Sequence, residues 1–82
     1  MRTPTVHLNG TSRDSLFAMY ENAAGAVFQA REALSEAGPN ARDYYVQGQD
    51  AFKEAADEHL SRDNKLKAVY EELMAILESL AT

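Results

Sequence analysis

Two long segments of the chain repeat apolar residues at alternating steps of four and three, the spacing that places side chains on one face of an α-helix. The face of the first segment comprises Leu16, Tyr20, Ala23, Val27, Ala30 and Leu34. The face of the second comprises Phe52, Ala56, His59, Asp63, Leu66, Tyr70, Leu73, Leu77 and Leu80, and it is interrupted by a charge at Asp63. This pattern predicts an all-α fold in which two helices pair as in a coiled coil.

Gly38 and Pro39 separate the two segments. Gly tolerates the left-handed conformation just past a helix end, and Pro cannot continue the helical hydrogen bonds. We therefore predict an antiparallel two-helix hairpin that forms one domain. Its predicted parts are an extended arm at 1–10, helix 1 at about 12–37, a loop at 38–48 and helix 2 at about 50–81.

The first ten residues contain a short alternation in which Val6 and Leu8 point to the same side. Helix 2 is the longer helix, since each residue adds about 1.5 Å of length. We expect it to extend past helix 1 at its apolar end, Leu77 and Leu80, and the arm to pack there through Val6 and Leu8.

Composition excludes several classes of protein. With 82 residues there is room for one domain, and the absence of cysteine excludes disulfides, thiolate zinc sites and a thiol nucleophile. Eight basic residues scattered among thirteen acidic ones form no phosphate-binding patch, so we expect no nucleic-acid binding. No apolar run approaches the roughly 18 residues of a membrane span, and the first residues lack the apolar stretch expected of a signal peptide. We expect a cytoplasmic protein without a membrane partner.

His59 is the most conspicuous polar residue on a predicted helix face. A metal site of the carboxylate-bundle type would need Glu at position 56, but that residue is Ala. His59 and Asp63 alone supply too few ligands to hold a metal ion. We therefore expect a packed histidine that is hydrogen-bonded to Asp63 or Glu58. Catalytic spacing is absent and a hairpin offers no pocket, so we predict no enzyme, no metal and no cofactor.

A first polar cluster precedes helix 1 and comprises His7, Asn9, Gly10, Thr11, Ser12 and Arg13. Free amides at a helix N-terminus beside an arginine suit an anion. The alternative is an ordinary N-cap, in which the Thr11 hydroxyl accepts from a backbone amide and Asp14 reaches back.

A second polar cluster lies in the loop and comprises Asn40, Arg42, Asp43, Tyr44 and Tyr45. A tyrosine ring can stack on a base while an arginine binds phosphate. The alternative is that one tyrosine plugs the open end of the hairpin while Arg42 and Asp43 pair locally. The two clusters lie some 35–40 Å apart along the hairpin, so a joint site would form only between protomers.

Helix 1 has a wider apolar stripe than one partner helix can cover, because Phe17, Ala24 and Phe28 flank its seam. It also holds Gly25, which costs about 0.5–1 kcal/mol in a helix interior relative to Ala. Close approach of another chain would account for that cost, and the alternative is a tolerated glycine without a role. We therefore predict a homo-oligomeric helical bundle whose interface includes Ala18, Gly25 and Phe28.

Two stretches, Val6 to Thr11 (VHLNGT) and Asn40 to Gly48 (NARDYYVQG), resemble a group of small, mostly uncharacterised helical proteins encoded by tailed phages and prophages. The resemblance covers most of the chain, and Ala41 and Val46 depart from the Gly and Pro of the group's pattern. It implies a phage accessory protein that acts in the cytoplasm of a host bacterium, in the size class that counters bacterial defence.

The resulting expectation is a non-enzymatic protein that sequesters a small anionic ligand, such as a nucleotide immune signal, between protomers. The alternative is an inhibitor that blocks a host protein through its apolar helix face. The candidate ligand-binding residues are His7, Asn9, Thr11, Arg13, Asn40, Arg42, Tyr44 and Tyr45.

Overall fold

The computed structural model describes residues 1–81, and they form two α-helices packed against each other with no strand among them. Helix α1 spans Arg13–Glu36 and helix α2 spans Ala51–Ala81. Two short 3₁₀ turns, Ala41–Asp43 and Tyr45–Gln47, lie between them. The molecule is a rod of 61 × 20 × 18 Å. The predicted helical hairpin is therefore confirmed.

An ion pair lies within the contact between the helices. Arg31 Nε donates to Asp63 Oδ1 at 3.1 Å, and a second guanidinium nitrogen donates to Oδ2 at 3.3 Å. The two side chains are 29% and 32% exposed. The charge that interrupts the apolar face of α2 is thus matched by a charge on α1. A charged residue in an apolar seam meets its partner in only one alignment of the two helices, so this pair sets the register of the hairpin.

The packed face of α1 differs from the predicted one by a small rotation. Ala24 is 4% exposed, whereas Ala23 and Ala30, which were expected to face α2, are exposed. The rotation follows from the ion pair, because bringing Arg31 toward α2 turns Ala30 away. Within residues 1–81 the other buried side chains are Leu77 and Leu80, both near the end of α2.

The predicted position of the overhang is wrong. From the ion pair to the end of the hairpin opposite the loop, each helix has 18 residues, so the two helices end level with each other there. Leu77 and Leu80 therefore lie beside the first turns of α1 and are buried there. Toward the loop, α2 is longer by seven residues, or about 10 Å. The loop, and not the arm, occupies this overhang.

The arm does not pack as expected either. Leu8 is 98% exposed and Val6 is 47% exposed, since Leu77 and Leu80 are already covered by α1. Residues 1–7 have no regular secondary structure. Met1 lies on the same surface depression as Ala75 of α2, so the arm folds back along that helix.

Two predicted helix ends also need correction. Ser12, not Thr11, caps α1, because its Oγ accepts from the amide of Ser15 at 3.2 Å. At the other end Ala37 terminates α1, and its amide hydrogen-bonds to the last turn. Among residues 1–81 a positive φ occurs only at Gly48, so Gly38 does not supply a left-handed cap. The loop needs that conformation just before α2, where the chain turns into the second helix.

The contrast between Leu80 and Leu8 gives a test of where the core lies. We expect Leu80→Ala to lower the free energy of unfolding by about 2–5 kcal/mol, because it leaves a cavity beside α1. The matched control Leu8→Ala should change it by less than about 0.5 kcal/mol, because that side chain is in water. Urea unfolding measured by circular dichroism checks both. Equal losses in the two variants would contradict this packing.

Candidate functional site

The loop between the helices is held by its own backbone. The side-chain oxygen of Asn40 accepts from the amide of Arg42 at 3.1 Å, and the carbonyl of Tyr44 accepts from the amide of Gln47 at 2.9 Å. The second 3₁₀ turn contacts α2. Asn40 therefore uses its side-chain carbonyl oxygen to shape the loop.

The two adjacent tyrosines have different environments. Tyr44 is half-buried and lines a cleft of about 280 Å³ with Ala51 and Ala55 of the α2 overhang. Tyr45 is 75% exposed, as is its neighbour Val46. Tyr44 is thus partly packed beside the α2 overhang, although the cleft that it lines stays open. Tyr45 takes no such part in packing.

Arg42 lies on the exposed side of the same loop. Within residues 1–81 its guanidinium forms no ion pair, so the expected local pairing with Asp43 is wrong. Both residues lie in the 3₁₀ turn Ala41–Asp43, and both are exposed. An exposed ring at Tyr45 and a cation at Arg42 therefore lie three residues apart on one loop.

The first polar cluster forms a turn before α1. The carbonyl of His7 accepts from the amide of Gly10 at 3.1 Å. A Cβ at position 10 would lie 2.7 Å from Nε2 of His7, so the imidazole lies over Gly10 and would have to move aside for a larger residue. Asn9 and Thr11 are exposed beside it, and Arg13 begins the helix.

One chain does not bring the two clusters together. The 24 residues of α1 separate them, which corresponds to about 36 Å. Their separation agrees with the expectation from sequence.

An apolar groove runs along the hairpin between α1 and α2, with a volume of about 790 Å³. The rings of Phe28 and Tyr70 meet in it at a centroid distance of 6.1 Å and an angle of 48°. Phe28 is nevertheless 49% exposed and Met74 42% exposed. Carboxylates border this apolar surface at Glu21, Glu32 and Glu78.

Two of the three predicted interface residues, Gly25 and Phe28, line this groove. Ala18 is exposed two turns before Gly25 on the same stripe of α1. The wall that α2 contributes through Tyr70 and Met74 was not predicted as part of an interface. The sequence feature that could have indicated this wall is Met74, an apolar residue that lies beside the predicted seam of α2 and widens its apolar face.

His59 is half-buried, but not through the hydrogen bonds expected for it. Asp63 is bound by Arg31, and Glu58 lies 3.6 Å from Arg62. The histidine ring instead lies near Gly38, where a Cβ would be 3.6 Å from Nε2. Residues 1–81 contain no group of three side chains placed to hold a metal ion.

The ion pair makes stability depend on pH. The hydrogen bond from Arg31 holds the pKa of Asp63 below its usual value, although partial burial opposes the shift. A carboxyl whose pKa falls on folding adds stability above its unfolded value of about 3.9, and this contribution is lost as the pH falls through the folded value.

We therefore expect Asp63→Asn to be less stable than the wild type at neutral pH, with a difference that closes progressively below about pH 4. Asp57→Asn is the matched control, because Asp57 forms an exposed pair with Lys53 and should contribute little. Urea unfolding from pH 7 to pH 2 measures both variants. A difference for Asp63→Asn that persists undiminished at pH 2 would contradict the assignment.

No protein-family model, curated protein or solved structure matches this chain. No helix within residues 1–81 is both long and apolar enough to cross a membrane.

Proposed function

We propose that this protein is a non-enzymatic binding protein that sequesters a small anionic ligand, such as a nucleotide signal, at the junctions between its protomers. The observation that carries the proposal is Tyr45, an aromatic side chain that is 75% exposed. Burying a tyrosine ring is favourable, so a ring left in water on an ordered loop is available to stack on a ligand. Stacking on a base is worth about 1–3 kcal/mol.

The surroundings of Tyr45 suit the phosphate part of such a ligand. Arg42 offers an uncommitted guanidinium on the same loop, and arginine binds phosphate through paired hydrogen bonds. The turn at His7, Asn9 and Thr11, with Arg13 after it, adds polar groups that read the edges of a base or a second phosphate. These groups belong to the opposite end of the rod, so they reach the ligand from another protomer.

The setting of this function rests on the resemblance to phage-encoded proteins. A small phage protein that binds a nucleotide signal in the host cytoplasm would counter a defence system that uses the signal as its messenger. Such a role needs no catalysis, since tight binding alone lowers the free concentration of the messenger.

Native mass spectrometry of the protein purified from infected cells tests this function. We expect a homo-oligomer that carries extra mass of a few hundred daltons per site, released on denaturation. A panel of cyclic and linear nucleotides added to the ligand-free protein should raise its melting temperature. Neither retained mass nor a shift with any nucleotide would reject the proposal.

The groove favours a second candidate function, inhibition of a host protein. An apolar surface that includes Phe28 and is bordered by acidic side chains suits the apolar face of a basic helix. The same native spectra separate the two candidates, because an inhibitor would purify as a monomer or dimer with a host polypeptide bound.

A further inference from the structure

The single hairpin leaves more surface in water than a folded chain of its size normally does. Its accessible surface is 6320 Å². A compact monomer of 9.1 kDa exposes about 4,900 Å², so the excess is about 1,400 Å². One standard protein–protein interface buries about 800 Å² on each partner. The excess is therefore large enough to supply an interface with a second copy.

Gly25 marks the place on α1 where another backbone fits. A Cβ at this position would meet nothing within 4 Å, so no contact inside the hairpin requires glycine there. The residue lies on the groove beside the exposed ring of Phe28. A helix-interior glycine without an internal reason, next to an apolar ring in water, indicates close approach from outside the chain.

The position of Gly25 along α1 also carries information. The midpoint of Arg13–Glu36 falls between Ala24 and Gly25. Two copies of α1 that cross antiparallel at this point therefore overlap along their whole length. No other crossing point gives two antiparallel copies full overlap.

We propose that the groove is occupied by α1 of a second copy, antiparallel and related by a two-fold axis that passes beside Ala24 and Gly25. This inference rests on the proposed function, to which it adds the geometry of the composite site. The loop of each chain then lies level with the arm turn of the other, so that Tyr45 and Arg42 of one copy face His7 and Asn9 of the second. Each dimer holds two such sites.

The charges along α1 are compatible with this pairing. Arg13 of one copy comes level with Glu36 of the second, so opposite charges meet at the ends. Glu21 comes level with Phe28, and Glu32 with Phe17, so two of the three carboxylates that border the groove come level with aromatic rings. In a parallel pairing each glutamate would instead lie beside the same glutamate of the second chain. The repulsion between these like charges would lower the stability of the dimer.

Cysteine crosslinking tests the pairing, because the chain has no native cysteine. Asp14 and Ser35 are exposed, and they lie two turns from the groove residues Glu21 and Phe28 on the same stripes of α1. In the proposed dimer Asp14 of one copy is level with Ser35 of the second. Two Asp14 side chains, or two Ser35 side chains, are about 30 Å apart.

We therefore expect a short bis-maleimide to join Asp14→Cys to Ser35→Cys when the two variants are mixed, and to join neither variant to itself. Circular dichroism confirms that each variant is folded. Self-crosslinking of either variant overturns the proposal in favour of a parallel pair. A folded mixture that gives no product overturns it as well, and this is the result expected if a host protein occupied the groove.

The crosslinked dimer also separates this inference from the proposed function. A mixed product that binds no nucleotide supports the pairing while it rejects the sequestration role. Nucleotide binding by a protein whose variants never form the mixed product overturns the pairing and leaves the sequestration role standing.

Discussion

Replacing Gly25 with leucine is expected to convert the assembled protein into monomers while each hairpin stays folded. Nothing lies within 4 Å of the position where the new side chain starts, so the hairpin accommodates it. Leucine also favours the helix by about 0.8–1 kcal/mol relative to glycine. A second backbone that approaches at this point is instead pushed away by the added side chain.

The expected loss of association energy is about 1–3 kcal/mol, the cost of overpacking a tight contact. This corresponds to a dissociation constant that rises by roughly five- to 150-fold. Light scattering over a concentration series measures it, and circular dichroism verifies that the helices remain. Gly25→Ala is the graded control and should have a smaller effect. An assembly of unchanged mass in the leucine variant would show that Gly25 lies outside the interface.

The adjacent tyrosines are expected to give opposite results when each is replaced with alanine. Tyr44→Ala removes the half-buried ring above the α2 overhang, so it should cost about 1–3 kcal/mol and lower the melting temperature by several degrees. Tyr45→Ala removes a ring that is 75% exposed, so the melting temperature of the ligand-free protein should hardly change. Nucleotide affinity should instead fall by about 1–3 kcal/mol, the worth of one stacked base.

Thermal melts with and without the nucleotide panel distinguish the two variants. Tyr45→Phe keeps the ring and should keep most of the affinity, whereas Arg42→Ala should weaken binding without leaving a cavity. A Tyr45→Ala protein that melts early and binds nucleotide normally would assign that ring to packing, and the ligand site would have to be sought elsewhere.

The sequence predicted the hairpin well because periodicity reports directly on which residues a helix buries. It predicted the face of α1 less well, since that face was drawn from apolar residues alone and Arg31 was not considered as part of it. Its guanidinium meets Asp63 inside the seam, and this pairing rotates the helix so that Ala24 is buried in place of Ala23. A charge that interrupts one apolar face is a reason to search the other helix for its partner.

Helix lengths alone could not place the overhang. They show that α2 is longer, but the ion pair decides which ends are level, and it leaves the extra turns of α2 beside the loop. The candidate site was limited in the same way. The sequence shows Tyr44 and Tyr45 as neighbours of the same type, so it could not distinguish their roles. The path of the two 3₁₀ turns packs one ring partly against α2 and leaves the other in water.

The shallow core of the hairpin has a consequence for the protein's life in a cell. With Ala24, Leu77 and Leu80 as its only buried apolar residues in positions 1–81, the isolated chain gains little from its own packing. If the proposed pairing with a second copy stabilises it, the chain becomes more resistant to unfolding as its abundance rises. Proteases that degrade opened chains would then clear it while it is scarce and spare it once synthesis is rapid, so its accumulation would rise more steeply than its expression.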